Sequence, residues 1–254
     1  MKESIYICDN VFIPIRTEPS HRAEQDSQIL FGEKYSIIDH KDNWTKIKML
    51  FDGQEGWIDA KHEPGTICLE ESRPYTLNRR LLCCKEDNTS VFLEAGCDIY
   101  NPDFILKSFR INGETFRTEN YFDETFVIPS ETIVETAYKF LNTPYLWGGR
   151  SALGIDCSGL IQTIFKAHGI SLPRNGSMQV NVGEEVSFAS AQEGDVAFFG
   201  DEKGQVNHVG IMASKNRIIH ASGKVRIDPI DQQGIYRHDM GRYSHQLKVI
   251  KRIS

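Results

Sequence analysis

Three features of the chain predict an α+β protein. Short β-prone runs broken by turn residues fill the segment from Val11 to about Val127. Helical spacing of apolar residues follows on either side of a glycine-rich stretch, and further apolar β runs begin at Gly194. With 254 residues the chain has room for two or three small domains, and 40% apolar with 25% charged residues is an ordinary globular mixture.

The β-prone runs of the first half are YSIID at 35–39, WTKIKML at 44–50, GWID at 56–59, SVFLE at 90–94 and FILKSFRI at 104–111. Turn residues separate them: Lys41-Asp42-Asn43, Asp52-Gly53, Glu63-Pro64-Gly65, Asn88 and Asn112-Gly113. Strands this short and closely spaced suit small barrels. Asn112-Gly113 is a strong hairpin signal, because a two-residue primed turn needs positive φ at both centres. Residues 64–128 read as a second β-rich domain, a divergent copy of the first, without a convincing internal repeat.

A helix is expected from near Ser130, preceded by Pro129 and capped by Ser130, with Ile133, Val134, Ala137, Phe140 and Leu141 at helical spacing. Asn142-Thr143-Pro144 ends it. This marks the start of a third domain, 129–254, after 1–63 and 64–128.

Composition excludes some roles. The formal net charge is −6, a poor basis for nucleic-acid binding. No run approaches the roughly 18–20 apolar residues of a membrane span. The opening MKESIYICDN has no apolar core of signal-peptide length, so the expected compartment is the cytoplasm, or the exterior if a leader has been removed. Cys8, Cys68, Cys83, Cys84 and Cys97 form no C-x-x-C pair and read as small apolar residues or inert thiols.

Cys157 differs. It follows Gly148, Gly149 and Gly154 and precedes Leu160, Ile161, Ile164 and Phe165 at helical spacing, with Gly169 as a stop. It should therefore open a buried helix, whose positive end would lower the thiol pKa and whose N–H groups could hold an oxyanion. Downstream, His208 and His220 each interrupt an apolar β run. One such His is usually a hydrogen-bonded core residue; two after a helix-start Cys suggest a base and an orienting partner. Their even separation carries a condition. A regular hairpin with a two-residue turn at Lys215-Asn216 would put them on opposite faces, so an odd loop or a bulge near Ser214–Asn216 is required.

The run Tyr145-Leu146-Trp147-Gly148-Gly149, Asp156-Cys157-Ser158-Gly159, Leu172-Pro173-Arg174, Gln179, Gly194-Asp195, His208-Val209-Gly210 and His220-Ala221 resembles the NlpC-type papain-like cysteine peptidases of bacterial cell walls. The segment Val11–Arg16, Ala23-Glu24-Gln25, Leu30–Glu33, Trp44 and Asp52–Ile58 resembles a bacterial SH3-like domain. Together they are most similar to the γ-D-glutamyl-L-diamino acid endopeptidases of murein peptide metabolism.

The resemblance implies a papain-like domain, with a helix-borne Cys packed on an antiparallel sheet, preceded by one or two small SH3-like β-barrels. It implies Cys157, His208 and His220 as the triad, and Tyr145, Trp147, Asp156 and Ser158 as cleft residues. Tyr145 could donate to the oxyanion, while Asp156 should turn away from the sulfur or serve as a plain helix cap. The expected substrate is a murein peptide, with no metal and no cofactor. One departure stands out: after Arg174 the subgroup shows Asp-Ser, and here Asn175-Gly176 follow. The lost carboxylate removes a charge-assisted contact to the substrate's amino terminus, so preference for a free L-alanine end is not implied. Glu24 is a candidate replacement carboxylate. Two alternatives remain: a wall-binding protein with an idle peptidase scaffold, and an amidase of the same fold acting on another bond.

Overall fold

The computed structural model of the chain describes residues 4–62, 67–69, 71–119, 122–127, 131–201 and 203–254. The Glu63-Pro64-Gly65 turn signal and the Pro129-Ser130 helix entry lie outside the described residues. Two compact units are formed, one by residues 1–130 with 147–151, the other by 131–146 with 152–254.

In the first unit, β1 (Ile5–Ile7), β2 (Phe12–Arg16), β3 (Gln25–Leu30), β4 (Lys34–Lys41), β5 (Trp44–Met49) and β6 (Glu55–Asp59) form an antiparallel sheet in the order β1-β4-β5-β6-β2-β3. Alternation drives it: Ile13, Ile15, Ile29, Tyr35, Ile47, Met49 and Ile58 point inward to one core. The same unit holds β7 (Tyr75–Thr76), β8 (Leu81–Cys84), β9 (Ser90–Leu93), β10 (Asp98–Ile99), β11 (Ser108–Ile111) and β12 (Glu114–Thr118). Strands β11-β12-β8-β9 pair in that order, and β10 pairs with β7. Their core includes Phe109, Phe116 and Phe122 together with Ile7 of β1, Leu30 of β3 and Phe31 just after it. Asn112 and Gly113 both take positive φ, 49° and 87°, in the β11–β12 turn, as their spacing required.

The run 104–111 is only half a strand. Asp103 Oδ1 accepts from the amides of Ile105 and Leu106 at 3.0 and 2.8 Å, folding 104–107 into a turn. Ile105 is left 92% exposed, which its apolar side chain would not forecast.

A buried ion pair sits in this unit. Strand β13 (Arg150–Ser151) carries Arg150, whose guanidinium donates to both Glu33 oxygens at 2.9 and 2.8 Å and to Gln28 O at 2.8 Å. Gln28 Oε1 accepts from the Arg150 amide, and Gln25 Nε2 donates to Trp147 O. Burial opposes the Arg150 charge, but Glu33 outweighs it and raises the guanidinium pKa.

The second unit opens with α1 (Ile133–Tyr138). Thr132 caps it in a reciprocal box with Glu135, and the helix ends sooner than the apolar spacing suggested. After β14 (Gly154–Ile155), α2 (Cys157–Ala167) is buried from Ser158 to Ala167 and closes at His168, with Gly169 at φ 78°. The short α3 (Gly176–Gln179) follows. Then β15 (Glu184–Val186), β16 (Val196–Gly200), β17 (Val206–Ser214), β18 (Arg217–Ser222), β19 (Lys224–Pro229), β20 (Gly234–Arg237) and β21 (Arg242–Arg252) make an antiparallel sheet. Its order is β15-β21-β16-β17-β18-β19, with β20 on β21. The expected α+β class is realised: a helix-borne Cys on an antiparallel sheet, preceded in sequence by antiparallel β-sheets. Among the described residues no helix is long and apolar enough to cross a membrane.

Candidate active site

Cys157 is the first residue of α2, and Asp156 is its N-cap. The cap is firm: Asp156 Oδ1 accepts from Gly159 N at 2.7 Å. Arg174 clamps the same carboxylate, with Nη2 on Oδ2 at 2.5 Å and Nη1 on Oδ1 at 3.1 Å. Ser158 Oγ donates to Asp156 at 3.2 Å and accepts from Arg174 Nη1 at 2.9 Å. Asp156 and Ser158 are therefore tied into a buried network with Arg174, and Asp156 has the helix-capping role foreseen as its plain alternative.

The thiol does not behave as expected. Burial, and then the Asp156 charge, push Cys157 up to about 11, against hydrogen bonds from the Val209 and Ser158 amides and the Arg174 charge. The helix-end stabilisation anticipated from sequence is present but outweighed. In the resting protein the sulfur is a neutral thiol at pH 7. Among the described residues none of the other five cysteines is in a disulfide; burial raises the Cys8 thiol, and raises Cys83 to about 12.

The histidines meet. In the β17–β18 hairpin Gly210 faces His220, Ile211 faces Ile219 and Met212 faces Ile218, but Ser214 then faces Arg217. Ala213 is thus the extra residue of a bulge, next to the two-residue turn at Lys215-Asn216. The shift places His208 on the face that His220 occupies, the condition the even spacing imposed. His208 Nε2 lies 2.8 Å from His220 Nδ1, and His220 Nε2 lies 2.9 Å from Asp228 Oδ2 on β19.

This chain of contacts assigns the tautomers. Burial favours a neutral Asp228, but hydrogen bonds from His220 and Arg226 prevail and hold its pKa below the usual carboxylate range. An ionised carboxylate only accepts, so His220 Nε2 carries the proton and Nδ1 the lone pair. His208 Nε2 must then donate, and its Nδ1 is the basic nitrogen. Burial, then His245 and His220, keep His208 neutral by pushing its pKa well below 6.5. Asp228 is a member that sequence reasoning missed. His245 is another: its ring stacks on His208 at 3.9 Å between centroids and 21° between planes. An aspartate or histidine on a distant strand gives no local signal.

Of the expected cleft residues, Tyr145 is half-buried, and burial with the charges of Cys157 and Asp156 raises its hydroxyl to about 12. It therefore stays a donor at neutral pH. Asn175 precedes α3 and makes no capping hydrogen bond with its side chain. Trp147 is 59% exposed and belongs with Glu24, also exposed, to the first unit, whereas the other expected site residues belong to the second.

Comparison with known proteins places the chain. Residues 142–243 match the NlpC/P60 family, and residues 15–62 match a bacterial dipeptidyl-peptidase SH3 domain. A Bacillus subtilis protein named gamma-D-glutamyl-L-lysine dipeptidyl-peptidase is 30% identical over 77% of this chain and 71% of its own length. The chain belongs to the NlpC/P60 family. A Bacillus cereus relative of the same name is 28% identical over 82% of this NlpC/P60 chain and 72% of its own. A crystal structure of an NlpC/P60 protein from Bacillus cereus superposes with a TM-score of 0.79 at 21% identity, covering 98% of this chain and 99% of that one, and shares the fold. The chain is thereby a member of a cysteine peptidase family.

Proposed function

We propose that this protein is a cysteine endopeptidase that hydrolyses the γ-D-glutamyl–diamino acid bond of murein stem peptides. The observation that carries the reading is the bulged hairpin, which joins His208 to His220 and Asp228 in one oriented chain in the domain that bears Cys157 at a helix start. The names of the two Bacillus relatives supply the bond.

In this reading His208 Nδ1 takes the Cys157 proton as sulfur attacks the γ-glutamyl carbonyl carbon. The C=O pair becomes an oxyanion, with backbone N–H groups at the start of α2 and the Tyr145 hydroxyl as donors. The oxyanion collapses, the C–N bond breaks, and His208 returns the proton to the leaving amine. Water, deprotonated by His208, then hydrolyses the thioester. His220 and Asp228 hold the imidazole in its productive tautomer throughout. With Asn175 where a carboxylate would pair with an amine, a free substrate N-terminus is not demanded.

The raised thiol pKa favours the second reading, an idle scaffold beside a wall-binding domain, because that reading expects an unreactive sulfur. A neutral thiol beside a neutral base is nonetheless competent when proton transfer accompanies attack. Mass spectrometry of L-Ala-γ-D-Glu-diaminopimelate and of its L-Lys counterpart decides. The wild type should release L-Ala-D-Glu, and Cys157→Ala should not. Cleavage that survives in Cys157→Ala, or no cleavage by the wild type, rules the proposal out.

A further inference from the structure

Three imidazoles converge at this end of the sheet, and the peptidase chemistry uses only two. Ring nitrogens of His208, His220 and His245 all lie within 4.8 Å of one another. The outer two are held from behind: His220 Nε2 by Asp228 at 2.9 Å, His245 Nδ1 by Ser244 Oγ at 2.8 Å. Metal-ligating histidines are held in this way, with the nitrogen that does not bind the ion hydrogen-bonded to an oxygen. The nitrogens that remain are His220 Nδ1, His208 Nε2 and His245 Nε2.

We propose that these three nitrogens form a site for a divalent ion of the zinc class, and that occupancy switches the peptidase off. Three imidazoles without a carboxylate ligand select zinc or copper over magnesium or calcium. A tetrahedral ion with bonds of 2.0–2.1 Å holds its ligand atoms about 3.4 Å apart. The 2.8 Å His208–His220 contact opens by about half an ångström. The His245 ring turns out of its 21° stack to point its nitrogen at the ion. His245 is the ligand with room to turn, because it is half-buried while His208 and His220 are buried. The ion enters from its side.

Occupancy acts through the tautomer. A neutral His208 bound to the ion through Nε2 carries its single ring proton on Nδ1, so the proton moves across the ring and none is lost. Nδ1 then has no lone pair for the thiol. This inhibitory half rests on the proposed peptidase reading; the binding half does not.

Calorimetric titration of the metal-free full chain with zinc chloride tests the site in the wild type, Cys157→Ala and His245→Phe. Cys157→Ala should bind one ion as tightly as the wild type, which separates the three-histidine site from a Cys–His site. His245→Phe, which keeps an aromatic ring in the stack, should bind at least tenfold more weakly. Cobalt in place of zinc, read by its visible bands in Cys157→Ala and Ser244→Ala, reports the ligand set without relying on the stability of the Phe variant. Binding lost in Cys157→Ala, or unchanged in a folded His245→Phe, overturns the site. Peptide cleavage by the wild type should fall with zinc at the concentration that calorimetry gives and return with a chelator. Saturation without inhibition overturns the switch. A wild type that cleaves nothing even without zinc overturns the peptidase reading alone, since calorimetry still judges the site.

Discussion

Asp228→Ala removes the group that orders both histidines while leaving Cys157, His208 and His220 in place. Asp228 is 3% exposed and His220 fully buried, so water does not readily replace the lost acceptor. A hydrogen bond from a buried imidazole to a carboxylate is worth about 1.5–3 kcal/mol. Asp228 holds that bond at 2.9 Å on His220, one ring away from the base. Its strength grows when His208 becomes imidazolium and His220 passes the charge effect on, so the loss falls on the transition state. At 1.36 kcal/mol per tenfold, kcat should drop by roughly 10- to 150-fold. KM should change little. Asp228→Asn keeps an acceptor oxygen for His220 and should lose less. Steady-state release of the dipeptide product, with thermal unfolding run in parallel, measures both variants. A folded Asp228→Ala whose kcat stays within about twofold of the wild type would refute the tautomer argument.

Other perturbations follow from the same geometry. Glu33→Gln leaves the Arg150 guanidinium, 1% exposed, buried beside a neutral amide. Urea unfolding should show a loss of about 3–5 kcal/mol, a large share of the 5–15 kcal/mol typical of folded proteins; a loss under 1 kcal/mol contradicts the account. Gly210 faces His220, and an added Cβ would meet Ile218 Cδ1 at 2.8 Å and Ile219 O at 2.9 Å. Gly210→Ala should therefore push β17 from β18, costing about 1–3 kcal/mol and much of the activity; unchanged kcat would speak against it. Alkylation of Cys157 depends on thiolate. With the folded pKa raised to about 11, the anion is lost as pH falls below that value. The rate should climb about tenfold per pH unit between pH 7 and 10. A plateau below pH 8 would mean that a thiolate–imidazolium pair forms instead.

The β strands and the Cys-bearing helix were legible because their signals are local. Alternation marks β4 to β6, glycines mark the entry to α2, and Asn112-Gly113 marks its own turn. The histidine pair was legible in a stronger sense, since a shared face for the two rings required an odd loop or a bulge, and the hairpin contains the bulge. What escaped was settled by partners far along the chain. Asp228 and His245 join the site through strand order, and Arg150 meets Glu33 across 117 residues of sequence. The thiol pKa was misjudged because the helix end is a local feature, while burial and the Asp156 charge come from the packed surroundings. The cap of α1 shows a smaller version: Thr132 caps the helix in a reciprocal box with Glu135, a pairing of side chain with backbone that apolar spacing does not register.

The bulge at Ala213 also makes the interval between His208 and His220 a question of parity. Deleting Ala213 alone would leave a regular ladder in which Gly210 still faces His220, so His208 would keep its side of the sheet. Deleting Val209 instead would turn His208 to the opposite side while leaving the strands paired. The bulge is thus the one place in this stretch of the hairpin that absorbs the loss of a residue without parting the two rings.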